Sequence, residues 1–204
     1  MAPFAPVRAF RVERFRHPAH ASMSAARRFL VLLDVALILS WITLAIVVYD
    51  QLPASIPMHF GPSGAADSFA ARSIASWYAL PAIGVCTALL MLGVAQNTHH
   101  HPDMYNVPGK AEMLGLPAER QRPFLEQLAM FMTLLATSVL LLFMAIHYDT
   151  WRVAMGDQRG LSTVSWAAMG LCVGGMVIAV PVWMLRFKRG VSAAASASPS
   201  RRGS

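Results

Sequence analysis

Four apolar runs, at 29–48, 77–95, 128–147 and 164–185, govern what this chain can fold into. Each is about as long as the roughly 20 residues a helix needs to cross a hydrocarbon core. Lipid offers no water to main-chain polar groups, so each run is expected to be helical. Charged residues make up 13% of the chain and apolar residues 56%. Soluble domains carry roughly 25% charged residues, so this chain has too few charges to cover that much apolar surface in water. The expected class is an all-α membrane protein with a single four-helix membrane domain at 27–190. Residues 1–26 read as a basic, disordered extension and the low-complexity residues 191–204 as a disordered tail.

The first run exceeds the 7–15 residues of a signal-peptide core, and no small-x-small cleavage site follows it. It therefore reads as an uncleaved anchor. Met23-Ser-Ala-Ala-Arg-Arg resembles a compact membrane-protein start, so Met1 and Met23 both stand as expected starts.

Lys and Arg set the sidedness. Fourteen of the 17 lie before the first run, between the second and third, or after the fourth; only Arg72, Arg152 and Arg159 lie elsewhere. Both termini are thus expected in the cytoplasm. Tyr49, Trp77, Tyr78, Tyr148, Trp151 and Trp166 fall at the opposite ends, as an interfacial aromatic belt does, with Trp41 as the mid-run exception. The net charge of +7 sits beside the apolar runs rather than along one polar face, which argues against nucleic-acid binding. Cys86 and Cys172 lie inside apolar runs and read as small packing residues.

Between the first two runs, and so on the expected outer face, stands "QLPASIPMHFGPSGAAD", residues 51–67. Pro53 and Pro57 hold the residues before them extended. Ile56, Met58 and Phe60 alternate with Pro57, His59 and Gly61, the period of a strand. "GPSG" is a turn and "AADSF" supplies a return strand. The expectation is a short β-hairpin on the outer membrane surface, its apolar side against lipid headgroups or span ends and the whole supported by the bundle, because an isolated hairpin is marginal.

Leu52, Pro53, Ile56, Pro57, His59, Phe60, Gly64 and Asp67 match L-P-x-x-I-P-x-H-[FW]-x-x-x-G-x-x-D, with Arg72 as the basic residue that follows it. This signature is similar to that of a bacterial membrane family, domain of unknown function 1648. "YNVPGK" resembles the same family's N-x-P-x-K through Asn106, Pro108 and Lys110, and "LPAER" at 116–120 resembles its entry to the third span. The resemblance covers roughly residues 30–150. It implies a relationship to the N-terminal part of SdpI-type immunity proteins, which protect a cell from a secreted peptide toxin and relay its presence to a regulator.

The sites follow from chemistry at each position. His59 is an outer imidazole near Asp67 and Arg72, suited to binding a peptide or sensing pH, or else to locking the hairpin by a hydrogen bond. Asp34 is the one ionisable residue clearly inside a run, and an acid there serves packing, pairing with a basic residue, or transport. The run His99–His101 invites a metal, but its spacing fits no structural zinc pattern, and solvated loop histidines are expected. Lys110, Arg120 and Arg122 suit anionic headgroups or a cytoplasmic regulator, and Arg122 with Glu126 suits a local helical pair. Gly170 and Gly174 suit close helix packing within the chain or in a homodimer. Thr133 and Thr137 make a weakly polar stripe expected to face the bundle.

Nothing resembles an acyl-transfer triad, a phosphate loop or paired carboxylates, so no enzymatic activity, cofactor or metal is expected. The first functional expectation is an envelope sensor, signal relay or immunity-like protein. His59, Asp67 and Arg72 would be its sensing side, with Asn106, Pro108 and Lys110 on its inner side. Its partners would be the bilayer, a peptide outside and a regulator inside. The alternative is a small transporter or membrane enzyme subunit that uses Asp34.

Overall fold

The computed structural model describes residues 23–197. The choice between Met1 and Met23 and the expectations for residues 1–22 and 198–204 fall outside them. The elements, in order, are α1 (Ala25–Tyr49), β1 (Ser55–Phe60), β2 (Ala66–Ala71), α2 (Ile74–Asn97), α3 (Lys110–Leu114), α4 (Ala118–Ala154), α5 (Thr163–Met169) and α6 (Gly175–Ser196). A π-helical turn, Gly170–Gly174, joins α5 to α6 without a break, so the last span is one helix of three parts. Among the described residues, four helices are long and apolar enough to cross a membrane. The chain is a multi-pass membrane protein, mostly helical, with a two-stranded antiparallel hairpin between its first and second spans.

The helices overrun the apolar runs that define them. α4 begins ten residues before position 128 and ends seven after position 147. α6 continues to Ser196, inside the stretch 191–204 that reads as a tail. Helix ends extend because local caps and tertiary packing, not apolarity, decide them. Ser24, Ser73 and Ser162 cap α1, α2 and α5, and Ser73 and Ser76 form a reciprocal capping box. Pro81 lies about two turns inside α2. There it offers no N–H to the Trp77 carbonyl four residues back.

The buried residues form three clusters stacked along the bundle. At the hairpin end, Ala45, Val48, Leu52, Ile56 and Trp77 pack together. In the middle, Trp41 lies against Ala88, Ala136 and Leu140. At the far end, Met113, Leu116, Phe124, Leu128, Phe187 and Val191 close the bundle. α4 touches α1, α2, β1, α3 and the whole last span, so it is the central post. Thr133 and Thr137 are buried on it, facing the bundle as expected.

The last span is fastened at its two ends. α5 packs on α4, and α6 packs on α3 and on Phe124 through Phe187 and Gly190. Between them, side chains built at Gly170 and Gly174 would meet no atom within 4 Å. Packing of these glycines within the chain is therefore not what the fold uses them for. Cys172 is buried as expected, whereas Cys86 is exposed on the bundle surface.

Candidate functional site

The hairpin is closed by a three-residue loop, Pro62–Gly64. Gly61 N–H donates to the Ala65 carbonyl at 2.9 Å, and Gly64 N–H to the Gly61 carbonyl at 2.8 Å. Gly64 adopts φ +79°, the left-handed turn that ends such loops and that glycine takes without strain. Pairing joins Pro57 to Phe69, His59 to Ser68 and Phe60 to Ala66. Met58 on one strand and Asp67 on the other are thus left as bulged, unpaired positions. These bulges break the expected alternation: Ile56 and Pro57 are both buried, while Met58 and His59 are exposed. Bulges re-aim side chains, and here they bring His59 and Asp67 together on one face.

His59 Nδ1 lies 2.6 Å from Asp67 Oδ1, with 67% and 51% of the side chains exposed. A carboxylate only accepts, so Nδ1 donates and Nε2 is left for another partner. A Cβ at position 61 would lie 2.7 Å from Asp67 Oδ2, so the glycine there makes room for the carboxylate.

Arg72 does not join them. Its Nη1 donates to the carbonyls of Leu52 at 2.7 Å, Asp50 at 3.3 Å and Tyr49 at 3.5 Å, and its guanidinium lies over the Tyr49 ring. A cation on the last carbonyls of α1 is favourable through both hydrogen bonding and the helix dipole. The expected trio is therefore an exposed His59–Asp67 pair and a separate clamp by Arg72. Sequence spacing placed all three in one short segment; the bulges and the α1 terminus divide them.

The hairpin tip is held by the α4–α5 loop. Leu161 N–H donates to the Gly64 carbonyl at 2.8 Å, Ala65 bridges to Gly160, and the Trp166 ring sits against Gly64. That loop is ordered by a residue the sequence did not single out. Asp149, fully buried, accepts from Ser162 N–H at 2.7 Å, Ser162 Oγ at 2.9 Å and Gln158 Nε2 at 2.8 Å. It also neutralises the N-terminus of α5. No local pattern announces partners nine and thirteen residues away.

Under the hairpin lies an apolar cleft of about 380 Å³. β1 residues 57–60 form its roof, with His59 at the rim. Ala79, Leu80 and Ile83 of α2, Ile146 and Thr150 of α4, and Met169 of α5 form its walls. His147, also in the wall, is 2% exposed. Trp41 Nε1 donates to His147 Nδ1 at 2.9 Å, and Trp77 packs on the ring at 4.1 Å between centroids. Trp77 itself is buried and its Nε1 donates to the Ala45 carbonyl, so it is a core residue and not part of the interfacial belt. His147 ends an apolar run flanked by Tyr148 and Trp151, which was the only sequence sign of its role.

At the far end, Arg27 lies 3.3 Å from Glu126, and its Nη1 donates to the Ala95 carbonyl at 3.1 Å. Glu126 also accepts from Ser24 N–H at 3.1 Å and meets His99 Nε2 at 3.4 Å. This cluster ties α1, α2 and α4 together. It also corrects the reading of His99, which turns inward, while His100 and His101 are exposed. Among the described residues no group of three or more His, Cys, Asp or Glu is placed to hold a metal.

Asp34 is fully buried; among the described residues neither carboxyl oxygen has a hydrogen-bond partner and no basic residue pairs with it. It faces Thr137, whose hydroxyl donates instead to the Thr133 carbonyl at 3.1 Å.

Asn106, Pro108 and Lys110 form the turn into α3, where Gly109 takes φ +78°. Asn106 is exposed, and Lys110 N–H donates to the Val107 carbonyl at 3.1 Å. The turn seats Val107 and Met113 against Phe187 and Val191. His59, Asp67 and Arg72 thus lie at one end of the bundle, and Asn106, Pro108 and Lys110 at the other.

Residues 35–85 match the model of a family described as Domain of unknown function (DUF1648). The match spans most of α1, the whole hairpin and the first half of α2, and it bears out the resemblance carried by the hairpin motif. It is narrower than residues 30–150 and stops short of the Asn106–Lys110 turn. No curated protein and no solved structure matches the chain.

Proposed function

We propose that the protein is a non-enzymatic sensor of the bacterial cell envelope. The hairpin end faces outward from the inner membrane, both termini lie in the cytoplasm, and the bundle relays occupancy of the outer face to the Asn106–Lys110 turn. One observation carries this reading: an exposed His59–Asp67 pair is held at the rim of an apolar cleft by a hairpin fixed to three helices. An apolar cavity with a few convergent polar groups is the usual form of a small-molecule or peptide site. A regulator docking at the Lys110 turn, and an immunity-like role related to SdpI-type proteins, follow as the partner side of the same proposal. Relay requires that a ligand bind two bundle states with different affinity.

Two experiments test it. A Ser63→Cys variant reacts with an impermeant thiol reagent in intact spheroplasts; labelling only after lysis overturns the orientation. His59→Ala and Lys110→Ala each abolish rescue of the deletion phenotype with protein level unchanged; full rescue by both ends the relay reading.

A second reading, a small transporter or enzyme subunit, rests on the unpartnered carboxyl of Asp34. Asp34→Asn separates the two. Loss of rescue with the protein still present favours transport, and indifference removes it.

A further inference from the structure

At the end of the bundle away from the hairpin, a groove of about 580 Å³ runs between α4 and α6. The two helices meet there through aromatic rings. Phe131 stacks on Trp183 with centroids 4.8 Å apart and planes 18° from parallel, and Trp183 lies 5.0 Å from Phe187. The Phe131 and Trp183 rings line the groove, and Leu134 continues its wall along α4. Leu134 is 47% exposed, so the groove opens sideways, toward lipid.

The polar groups gather at one mouth. Arg186 directly follows the apolar run 164–185, and Glu126 and Gln127 directly precede the run 128–147. On both helices, therefore, the mouth sits at the hydrocarbon boundary, with the rings and Leu134 on its apolar side. From Glu126 to Leu134 the groove follows α4 for about 12 Å. Glu126 is already engaged, by Arg27 at 3.3 Å and by Ser24 N–H at 3.1 Å. Arg186 is exposed and, among the described residues, has no acidic or hydrogen-bonding partner. Lys188 and Arg189 follow it within one turn, both exposed. The mouth is left positive.

We propose that this groove binds an anionic phospholipid, with its phosphate on Arg186 and the upper part of one acyl chain along Phe131, Trp183 and Leu134. A guanidinium offers only donors, in a planar fork that matches phosphate oxygens. The walls below it are apolar and lie at hydrocarbon depth, so an occupant that fills the groove carries a chain beneath its charge. A soluble phosphate would use the mouth and leave the walls bare. A zwitterionic head would bring its ammonium beside Arg186, Lys188 and Arg189, where like charges repel. The proposal is independent of the sensor reading and holds for whichever leaflet meets this end of the bundle.

The test uses the full chain in nanodiscs and two photoreactive probes, phosphatidylglycerol and phosphatidylcholine with the same diazirine-bearing acyl chain. Phosphatidylglycerol is expected to label residues 127–134 and Trp183 about fivefold more than phosphatidylcholine does, the weight of one basic residue against an anionic headgroup. Arg186→Gln is expected to remove that preference, while Arg189→Gln leaves most of it. Circular dichroism of both variants should match the parent, and the comparison of the two lipids on the parent decides the matter even if a variant misfolds. Equal labelling by the two lipids overturns the proposal, as does label spread evenly around the bundle. Equal loss in the two variants overturns it too, because the attraction is then diffuse surface charge. Loss of labelling on adding excess glycerol phosphate shows that a soluble head suffices, and the lipid assignment falls.

Discussion

Trp41 on α1 and His147 on α4 are joined by a 2.9 Å buried hydrogen bond beneath the hairpin cleft. The bond fixes which imidazole nitrogen carries the proton and turns the other toward the cleft. Trp41→Phe keeps most of the packing but strands the buried Nδ1, at a cost of about 1–3 kcal/mol. Unfolding in detergent by a chemical denaturant measures it. The same variant should broaden or shift the His147 ring resonances, which a purely volumetric role would not do.

Gly84 of α2 makes room for that indole. A methyl group there would lie 2.6 Å from the far edge of the Trp41 ring and 3.2 Å from Phe143 Cβ. Gly84→Ala is expected to destabilise by about 1–3 kcal/mol through overpacking. Its cost should shrink when combined with Trp41→Phe, because the smaller ring lacks the indole edge that the added methyl would meet. A double-mutant cycle reads that coupling directly.

Arg72 is expected to behave as a fastener for the hairpin. Lysine keeps the charge but not the planar fork that spans several carbonyls. In Arg72→Lys, hydrogen exchange should rise across residues 51–72 while the mid-helix amides of α1 and α2 keep their protection. The stability loss should be only about 1 kcal/mol, because the clamp is partly solvated.

Two buried ionisable residues in α1 should give opposite results. Arg27 is 3% exposed and meets Glu126 and the Ala95 carbonyl. Arg27→Ala leaves Glu126 without its cation and should cost about 2 kcal/mol or more. Asp34 has no hydrogen bond to lose. Asp34→Leu should therefore be neutral or stabilising in the same unfolding assay, since replacing an unmet buried polar group by an apolar one removes its desolvation cost.

His59→Ala separates function from stability. The pair with Asp67 is well exposed, and exposed pairs contribute roughly 0–1 kcal/mol. The variant should unfold almost as the parent does, yet lose rescue of the deletion phenotype. A large stability loss would instead mark the pair as a structural lock.

Apolar run length and proline, glycine and turn chemistry made the four spans and the hairpin legible in the sequence. Those signals are local, and membrane insertion leaves the backbone few alternatives. Helix ends were less legible, because the packing of α3 on α6 and of α4 on its neighbours joins residues far apart along the chain.

The site was legible only in part, for the same reason. His59 and Asp67 could be named from the hairpin motif, but the bulges that pair them depend on strand register. Arg72 was placed in the wrong company, since its partners are main-chain carbonyls that no sequence displays. Asp149 and His147 had no nearby pattern at all. Their partners lie nine to 106 residues away, on other elements or across the α4–α5 loop.

α4 has 37 residues, which at 1.5 Å per residue makes about 55 Å of rod, while the hydrocarbon layer it crosses is about 30 Å thick. A rod that overhangs on both sides behaves as a seesaw: any tilt about its middle swings the two tips in opposite directions. One tip carries Asp149 and the floor of the hairpin. The other carries Phe124 and Glu126, beside α3 and the start of α1. Leverage of this kind would let a displacement of an ångström or so beneath the hairpin reach the opposite aqueous side undiminished, with no part of the backbone having to refold.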